Sequence, residues 1–150
     1  MYASTMAIAR PIDRRLFLLL DRARNRLFKR ANRQLLHSMN ITVSQGAALF
    51  YLSRHDGCLL SDLATGLDLN NSAITGLAAR MQKAGLIERR ADPGDGRAMR
   101  VHLTAKGRAL HGRVREALQG FNAEIERGFS PGDMQIVYRF LAHAAEVQLV

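Results

Sequence analysis

The net positive charge of this 150-residue chain is concentrated in one segment. The chain carries a formal net charge of +9 and has an isoelectric point near 11.0. Ten Lys or Arg but only three Asp or Glu lie between residues 80 and 115. Such a cluster predicts binding to a polyanion, which is either a nucleic acid or an acidic membrane surface.

The sequence contains no motif that is typical of catalysis. It lacks the GxSxG, P-loop, HExxH and dinucleotide-binding patterns. Its five His are scattered, and no Cys/His cluster has the spacing of a zinc site. The single cysteine, Cys58, excludes a disulfide within the chain and fits a reducing compartment. We therefore expect no enzymatic activity, no cofactor and no bound metal.

Two short amphipathic helices joined by a tight turn are predicted in the middle of the chain. The first begins at Ser61, whose hydroxyl can cap it, and Leu63, Ala64 and Leu67 share its apolar face. Asp68 falls where the turn needs a residue that tolerates positive φ. Asp adopts that region more readily than most residues, so the turn is compatible with this sequence.

The second helix begins at Asn70 or Asn71, either of which can cap it, and ends at Gly85. The helical period separates an apolar face from a polar one. The apolar face consists of Ile74, Leu77, Ala78 and Met81. The other face starts with small residues and continues with cations: Ser72, Thr75, Gly76, Ala79, Arg80 and Lys83. This order suits a helix whose N-terminal end enters the major groove of DNA.

Two short strands follow, over residues 86–91 and 99–104, and the second alternates apolar with polar residues. The loop between them, Asp92-Pro93-Gly94-Asp95-Gly96-Arg97, has the composition of a hairpin turn. Arg97 lies near its tip, and an Arg there can reach into a narrow A·T-rich minor groove. Helix, turn, helix, strand, loop and strand together predict a winged helix-turn-helix.

The run KAGLIERRADPGDGRAMRVHLTAKGRAL resembles the wing and following helix of the MarR family of bacterial transcriptional regulators. The shared pattern is a helix ending in Gly, a hydrophobic-hydrophobic-x-Arg strand, an Asp-x-Arg wing and a Leu-Thr-x-x-Gly helix start. Here these motifs are Gly85, residues 86–89, residues 95–97 and residues 103–107. The segment LSDLATGLDLNNSAITGLAARM resembles the family's helix pair, and the likeness covers roughly residues 12–150. Asp68 in place of Gly is the clearest departure.

The resemblance implies a mainly α fold with a small β-wing, in a single domain over residues 1–150. Residues 12–38 and 104–150 would form the dimerisation helices, and residues 43–103 the winged helix-turn-helix lobe. After a helix cap at Thr104, an apolar seam suits packing against another helix, and a last helix capped by Ser130 has a wide apolar face. The seam residues are Leu110, Val114, Leu118, Phe121 and Ile125. We expect a homodimer.

The first helix is predicted from Asp13 to about His37, after a loose arm over residues 1–11. Apolar residues recur along one of its faces from Leu16 to Leu35, and basic residues occupy the rest. The basic face is either simply solvated, or a second contact for phosphates, or a site for an anionic ligand.

The resemblance further implies a sequence-specific DNA-binding repressor on a pseudo-palindromic operator, released by a small-molecule effector such as an aromatic anion. Ser72, Thr75, Gly76 and Arg80 would approach bases or nearby phosphates. Lys83, Arg89 and Arg90 would contact the DNA backbone. Arg97 would enter the minor groove, and Asp95 would orient its side chain by a charge-assisted hydrogen bond. Some relatives sense peroxides through a Cys in the first helix, whereas Cys58 lies elsewhere.

The main alternative function is a sequence-tolerant architectural DNA-binding protein. A DNA-independent dimerisation module or an enzyme on the same scaffold is a second alternative. The concentrated basic charge disfavours the module, and the missing catalytic motifs disfavour the enzyme. No apolar run approaches the ~18 residues of a spanning helix, and the start MYASTMAIARPIDRR lacks a signal-peptide pattern. We expect a cytoplasmic protein that does not bind membranes.

Overall fold

The computed structural model describes residues 14–148, so the predicted arm over residues 1–11 and the predicted helix start at Asp13 lie outside it. In chain order the elements are α1 (Leu16–Met39), α2 (Val43–Arg54), β1 (Cys58–Leu59), α3 (Leu60–Gly66), α4 (Asn71–Lys83), β2 (Ile87–Ala91), β3 (Met99–Leu103), α5 (Ala105–Glu126) and α6 (Pro131–Glu146). The predicted fold class, mainly α with a β-wing, is confirmed. The described residues divide into two compact units, with the boundary between Val43 and Ser44.

The first unit consists mainly of α1. Asn40 ends the helix in the left-handed region, at φ 56°, and its N–H donates to the carbonyl of Leu36 at 3.1 Å. The side chain of Asn32 then accepts a hydrogen bond from the N–H of Val43 at 2.8 Å, which fixes the chain reversal after the helix. Leu35 is buried, whereas every residue from 21 to 30 is exposed.

The second unit contains the apolar core of the predicted lobe. Ala48, Leu49 and Leu52 of α2 are fully buried. The predicted inward face of α4 is buried as well, at Ile74, Leu77, Ala78 and Met81. Asp68 adopts φ 52° between α3 and α4, so the tight turn has the predicted geometry. The helical period alone was sufficient to identify this core.

The prediction that Ser61 caps α3 is wrong. The helix begins at Leu60, with Leu59 in the capping position and no side-chain cap. The reason is a strand that sequence analysis did not predict: Cys58 and Leu59 pair antiparallel with Val101 and Arg100 of β3. The chain therefore passes directly from β1 into α3. The sheet has three strands in the order β1-β3-β2, not the two of a simple hairpin.

Both ends of α4 are fixed by local hydrogen bonds. At its start, the side chain of Asn70 accepts from the N–H of Ala73 at 2.8 Å, which resolves the predicted choice between Asn70 and Asn71. At its end, Gly85 has φ 73° and the N–H of Leu86 donates to the carbonyl of Met81 at 2.9 Å. This is a Schellman motif, in which the left-handed backbone conformation after the helix favours Gly.

The first turn of α5 packs directly against the chain that follows α4. The Thr104 hydroxyl donates to the carbonyl of Gly85 at 2.6 Å and accepts from the N–H of Gly107 at 3.0 Å. The N–H of Thr104 donates to the carbonyl of Leu86 at 3.1 Å. A Cβ at position 107 would overlap that same carbonyl oxygen. Gly107 is therefore required by the close approach of two backbones.

The last two helices complete the second unit. Val114 of α5 is buried. The helix α6 begins with the predicted cap at Ser130, which forms a capping box with Asp133, and Pro131 occupies its first position. None of the helices in residues 14–148 combines the length and the apolar character needed to span a bilayer.

We predict that Gly107→Ala lowers the free energy of unfolding by about 1–3 kcal/mol, because the new methyl group must displace the backbone at Leu86. The measurement is urea unfolding at one fixed protein concentration. Gly112→Ala, in the same helix, is the matched control. A Cβ at position 112 meets no atom within 4 Å, so this change should raise stability by up to about 1 kcal/mol. Equal stability of the two variants would contradict the proposed close packing.

Candidate nucleic-acid interface

The outward face of α4 carries five of the predicted site residues. Ser72, Thr75, Arg80 and Lys83 are exposed, and Gly76 is half-buried. A Cβ built on Gly76 would lie 3.3 Å from the Nη1 atom of Arg80. The Arg80 guanidinium therefore lies against the helix surface one turn before its own position, as long helical side chains usually do. This arrangement places a cation beside the smallest residue of the face.

The wing is a regular hairpin in which Arg90 pairs with Arg100 and Ala91 with Met99. Asp92 stabilises its loop: its carboxylate accepts from the N–H of Gly94 at 3.1 Å and forms an ion pair with Arg100 at 3.4 Å. The N–H of Gly94 and the positive charge of Arg100 together lower the pKa of Asp92. The loop thus stays ordered while its tip is exposed.

Asp95 acts on the backbone of the wing, which corrects the predicted role of this residue. Its carboxylate accepts from the backbone N–H of Arg97 at 3.0 Å, and its carbonyl accepts from the N–H of Ala98. In the part of the chain that the structure describes, the Arg97 guanidinium has no ion pair with Asp95. A spacing of two residues favours this Asx-type turn, because the side chain reaches the backbone two positions on. Asp95 therefore shapes the turn and leaves the guanidinium of Arg97 exposed.

The two cations of β2 have different surroundings. Arg89 donates through Nε to the side chain of Gln82 at 2.6 Å, which links β2 to the last turn of α4. Arg90 pairs with Glu88 at 2.7 Å, and its side chain remains 64% exposed. An ion pair this exposed contributes little to stability, so Arg90 can exchange Glu88 for a phosphate at small cost.

A groove of about 220 Å³ lies between the starts of α3 and α4 and the end of the wing. Its lining includes Asn71, Ile74 and Thr75 of α4 together with Arg97, Ala98 and Met99. The structure therefore brings two predicted site residues, Thr75 and Arg97, to one concave surface. Lys83, Arg89 and Arg90 lie outside this groove, at the other end of α4 and on β2.

Three residues that position the wing were not predicted: Arg100, Asp56 and Arg108. Arg100 donates to the carbonyl of Gly57 at 2.8 Å, which ties β3 to the turn before β1. Asp56 accepts from the N–H of Leu103 at 2.7 Å and from Arg108 at 3.0 Å. Partial burial opposes ionisation of Asp56, but these two donors outweigh it and lower its pKa. The partners are 43 to 52 residues apart, so no local pattern could have indicated them.

Cys58 lies half-buried in β1 and is not part of the first helix. Burial raises the pKa of its thiol, and the negative charge of Asp62 raises it further. The thiolate is the reactive form, so this environment makes the residue a poor nucleophile. In residues 14–148, no group of three or more His, Cys, Asp or Glu is arranged to hold a metal ion.

Comparison with known proteins agrees with this geometry. A family model described as the MarR family matches residues 39–98. The HTH-type transcriptional regulator BilQ of Clostridioides difficile is 27% identical over 82 residues, which are 55% of each chain, so this chain spans about half the length of BilQ. YsmB of Bacillus subtilis, an uncharacterised HTH-type regulator, is 29% identical over 115 residues, 77% of this chain and 79% of YsmB. The homoprotocatechuate degradative operon repressor of Escherichia coli is 27% identical over 103 residues, 69% and 70% of the two chains.

Solved structures show the same fold. A probable transcriptional regulator from Pseudomonas aeruginosa has a TM-score of 0.75 at 27% identity and covers 88% of this chain and 97% of its own. BpsR of Bordetella bronchiseptica, described with a mechanism for regulation of DNA binding by 6-hydroxynicotinic acid, has a TM-score of 0.82 at 22% identity. The match covers 93% of this chain and 100% of the BpsR chain. The repressor CouR, bound to a 23-mer DNA duplex, has a TM-score of 0.80 at 23% identity. The match covers 87% of this chain and 92% of the CouR chain.

We predict that mild peroxide treatment leaves the DNA affinity of the wild-type chain and of Cys58→Ser equal, because the raised pKa of the thiol suppresses the thiolate. The measurement is DNA binding by fluorescence anisotropy before and after treatment. Oxidation of methionine would affect both proteins alike and so provides an internal control. A loss of binding that occurs in the wild-type chain and is absent from the variant would contradict the prediction.

Proposed function

We propose that the chain is a homodimeric, sequence-specific DNA-binding repressor of the MarR family of transcriptional regulators, released by a small-molecule effector. The observation that carries the proposal is the shared groove of Thr75 on α4 and Arg97 on the wing. One face of the lobe thereby offers a helix for the major groove and a cation for the adjacent minor groove. We further propose that the protein is not an enzyme and acts in the cytoplasm.

The proposed DNA contacts divide by their physical role. On α4, Ser72, Thr75, Gly76 and Arg80 would face the base edges or nearby phosphates, since the N-terminal part of a recognition helix reads the major groove. Arg97 would enter the minor groove, on a wing turn that Asp95 shapes. Lys83, Arg89 and Arg90 would contact phosphates, which supply affinity without sequence information. The structure of CouR bound to a 23-mer DNA duplex supports DNA binding by a protein of this fold.

Exposed apolar surface supports the proposed homodimer. No residue between Pro131 and Glu146 is buried, and Ile136 of α6 is 58% exposed. Phe129, just before α6, is 60% exposed, and Ile125 at the end of the α5 seam is 47% exposed. In the other unit, Phe17 of α1 is 72% exposed. Large apolar side chains exposed along helices favour an interaction surface, so we propose that the predicted dimerisation helices, over residues 12–38 and 104–150, pack against a second copy of the chain.

The dimer fixes the proposed form of the operator. A twofold dimer reads a pseudo-palindrome, and its two α4 helices must enter successive major grooves about 34–36 Å apart. The dimer can adopt a spacing that fits the two grooves and a spacing that does not. An effector releases DNA only if its affinity is higher for the spacing that does not fit. The described regulation of BpsR by 6-hydroxynicotinic acid supports an aromatic acid as the effector class.

We predict that Ile136→Asp converts the dimer into monomer or strongly weakens it. The side chain is exposed in the single chain, so a charge there is harmful only if a partner covers it. The measurement is sedimentation equilibrium at micromolar concentration. Ala142→Asp, on the side of α6 opposite its apolar face, is the matched control and should remain dimeric. A well-folded wild-type monomer at this concentration would refute the proposed assembly.

We predict that Arg90→Ala and Arg97→Ala weaken DNA binding in different ways. Arg90→Ala should weaken specific and scrambled duplexes about equally and lower the salt slope by roughly one unit, as expected for a lost phosphate contact. Arg97→Ala should also reduce the preference for A·T-rich sequence under the wing. The measurement is affinity at several salt concentrations, on duplexes that the wild-type chain enriches from a random pool.

Arg127→Ala, which removes the same charge just after α5, serves as the control and should leave both affinity and slope unchanged. Enrichment of no sequence from the pool would favour the alternative of a sequence-tolerant architectural protein. If both wing variants bind like the wild-type chain, this face is not the DNA-reading surface.

A further inference from the structure

The hydroxyl of Thr75 is turned back into its own helix. It donates a hydrogen bond to the carbonyl of Asn71 at 2.7 Å, one turn earlier in α4. This back-bonding is a usual arrangement for Thr inside a helix. The residue is nevertheless exposed and lines the groove that it shares with Arg97. Its hydroxyl hydrogen is therefore already used, while its side chain faces the proposed DNA surface.

This arrangement changes which chemistry Thr75 can offer to a base. The acceptors of the major groove, such as N7 and O6 of guanine or O4 of thymine, need a donor, and the hydroxyl hydrogen is not available to them. The γ-methyl group is the apolar part of this exposed side chain, and it remains available for contact. Thymine is the base whose major-groove edge carries a methyl group, at C5. Gly76 follows directly and, having no side chain, does not obstruct the approach of the helix to the base edges.

We infer that Thr75 selects thymine in each half-site by packing its γ-methyl group against the C5-methyl of the base. The inference rests on the proposed function and deepens it, because it names the base and the group that this residue recognises. The hydroxyl serves only to hold the side chain in the conformation that presents the methyl group.

Two substitutions separate the methyl group from the hydroxyl. Thr75→Val keeps a methyl group in place and removes the hydroxyl, whereas Thr75→Ser does the reverse. The probes are a duplex that the wild-type chain enriches from a random pool and versions of it in which single dT residues are replaced by dU, which lacks the C5-methyl. Thr65 is the matched control, because its hydroxyl also bonds the carbonyl four residues earlier, at an exposed position of α3 that does not line the groove.

At one dT position in each half-site, we expect replacement by dU to lower the DNA affinity of the wild-type chain and of Thr75→Val by roughly fourfold. This factor is the contribution of one buried methyl group. Thr75→Ser should bind the dT and dU duplexes equally well. Thr65→Val and Thr65→Ser should discriminate between the two duplexes as the wild-type chain does. Thermal unfolding of each variant checks that the fold is retained, and the dU duplexes test the wild-type chain without any substitution.

Three outcomes overturn the inference while leaving the proposed function intact. In the first, Thr75→Ser retains the discrimination while Thr75→Val loses it, which would assign recognition to the hydroxyl oxygen. Alternatively, no dU position depends on residue 75, or dU has no effect at any position. If the wild-type chain enriches no sequence at all, the proposed function fails and this inference fails with it.

Discussion

The first turn of α5 closes the C-terminal end of α4, and the proposed DNA-reading lobe depends on this junction. The last carbonyls of a helix have no partner within the helix. Here Lys106 donates to the carbonyl of Ala84 at 2.8 Å, and Thr104 donates to that of Gly85. Thr104 also accepts from Gly107, so a single hydroxyl serves the end of one helix and the start of the next. The cation of Lys106 further suits the negative end of the α4 dipole. These bonds explain why the chain has Leu-Thr-x-x-Gly at this point.

A second set of contacts holds the wing to the same body. Arg108 of α5 bonds both the carboxylate of Asp56 and the carbonyl of Leu103, and Asp56 accepts from the N–H of Leu103. Arg100 bridges the loop carboxylate of Asp92 and the turn at Gly57. Within the second unit, α4, the wing and the start of α5 are thus joined by hydrogen bonds at both ends of the sheet. In the proposed dimer, a shift of α5 would therefore move both proposed DNA-contacting elements, α4 and the wing, together. A change of dimer spacing could act on operator fit in this way.

The parts of this structure that sequence reasoning identified are those with local causes. The ends of α4 follow from an Asn cap and a left-handed Gly, and its inward face follows from the helical period. The parts that it missed depend on distant partners. The strand β1 has only two residues, too few for a periodic pattern, and pairs with residues more than 40 positions away. The cap predicted at Ser61 failed for the same reason, since β1 determines where α3 begins. Asp95 was assigned to the right loop, but its bond goes to the backbone of Arg97.

The stability of α6 gives an independent argument for the proposed partner chain. The helix is 16 residues long, and helices near this length are marginal in water without tertiary packing. Its capping box contributes only about 1 kcal/mol, and the hydrogen bond from Tyr138 to Glu126 of α5 is exposed to solvent. With no buried side chain between Pro131 and Glu146, a single chain supplies little that would hold this helix in place. Packing of its apolar face on a second copy would supply the missing burial. Dimerisation would then be part of folding, and the stability of the protein would depend on its concentration.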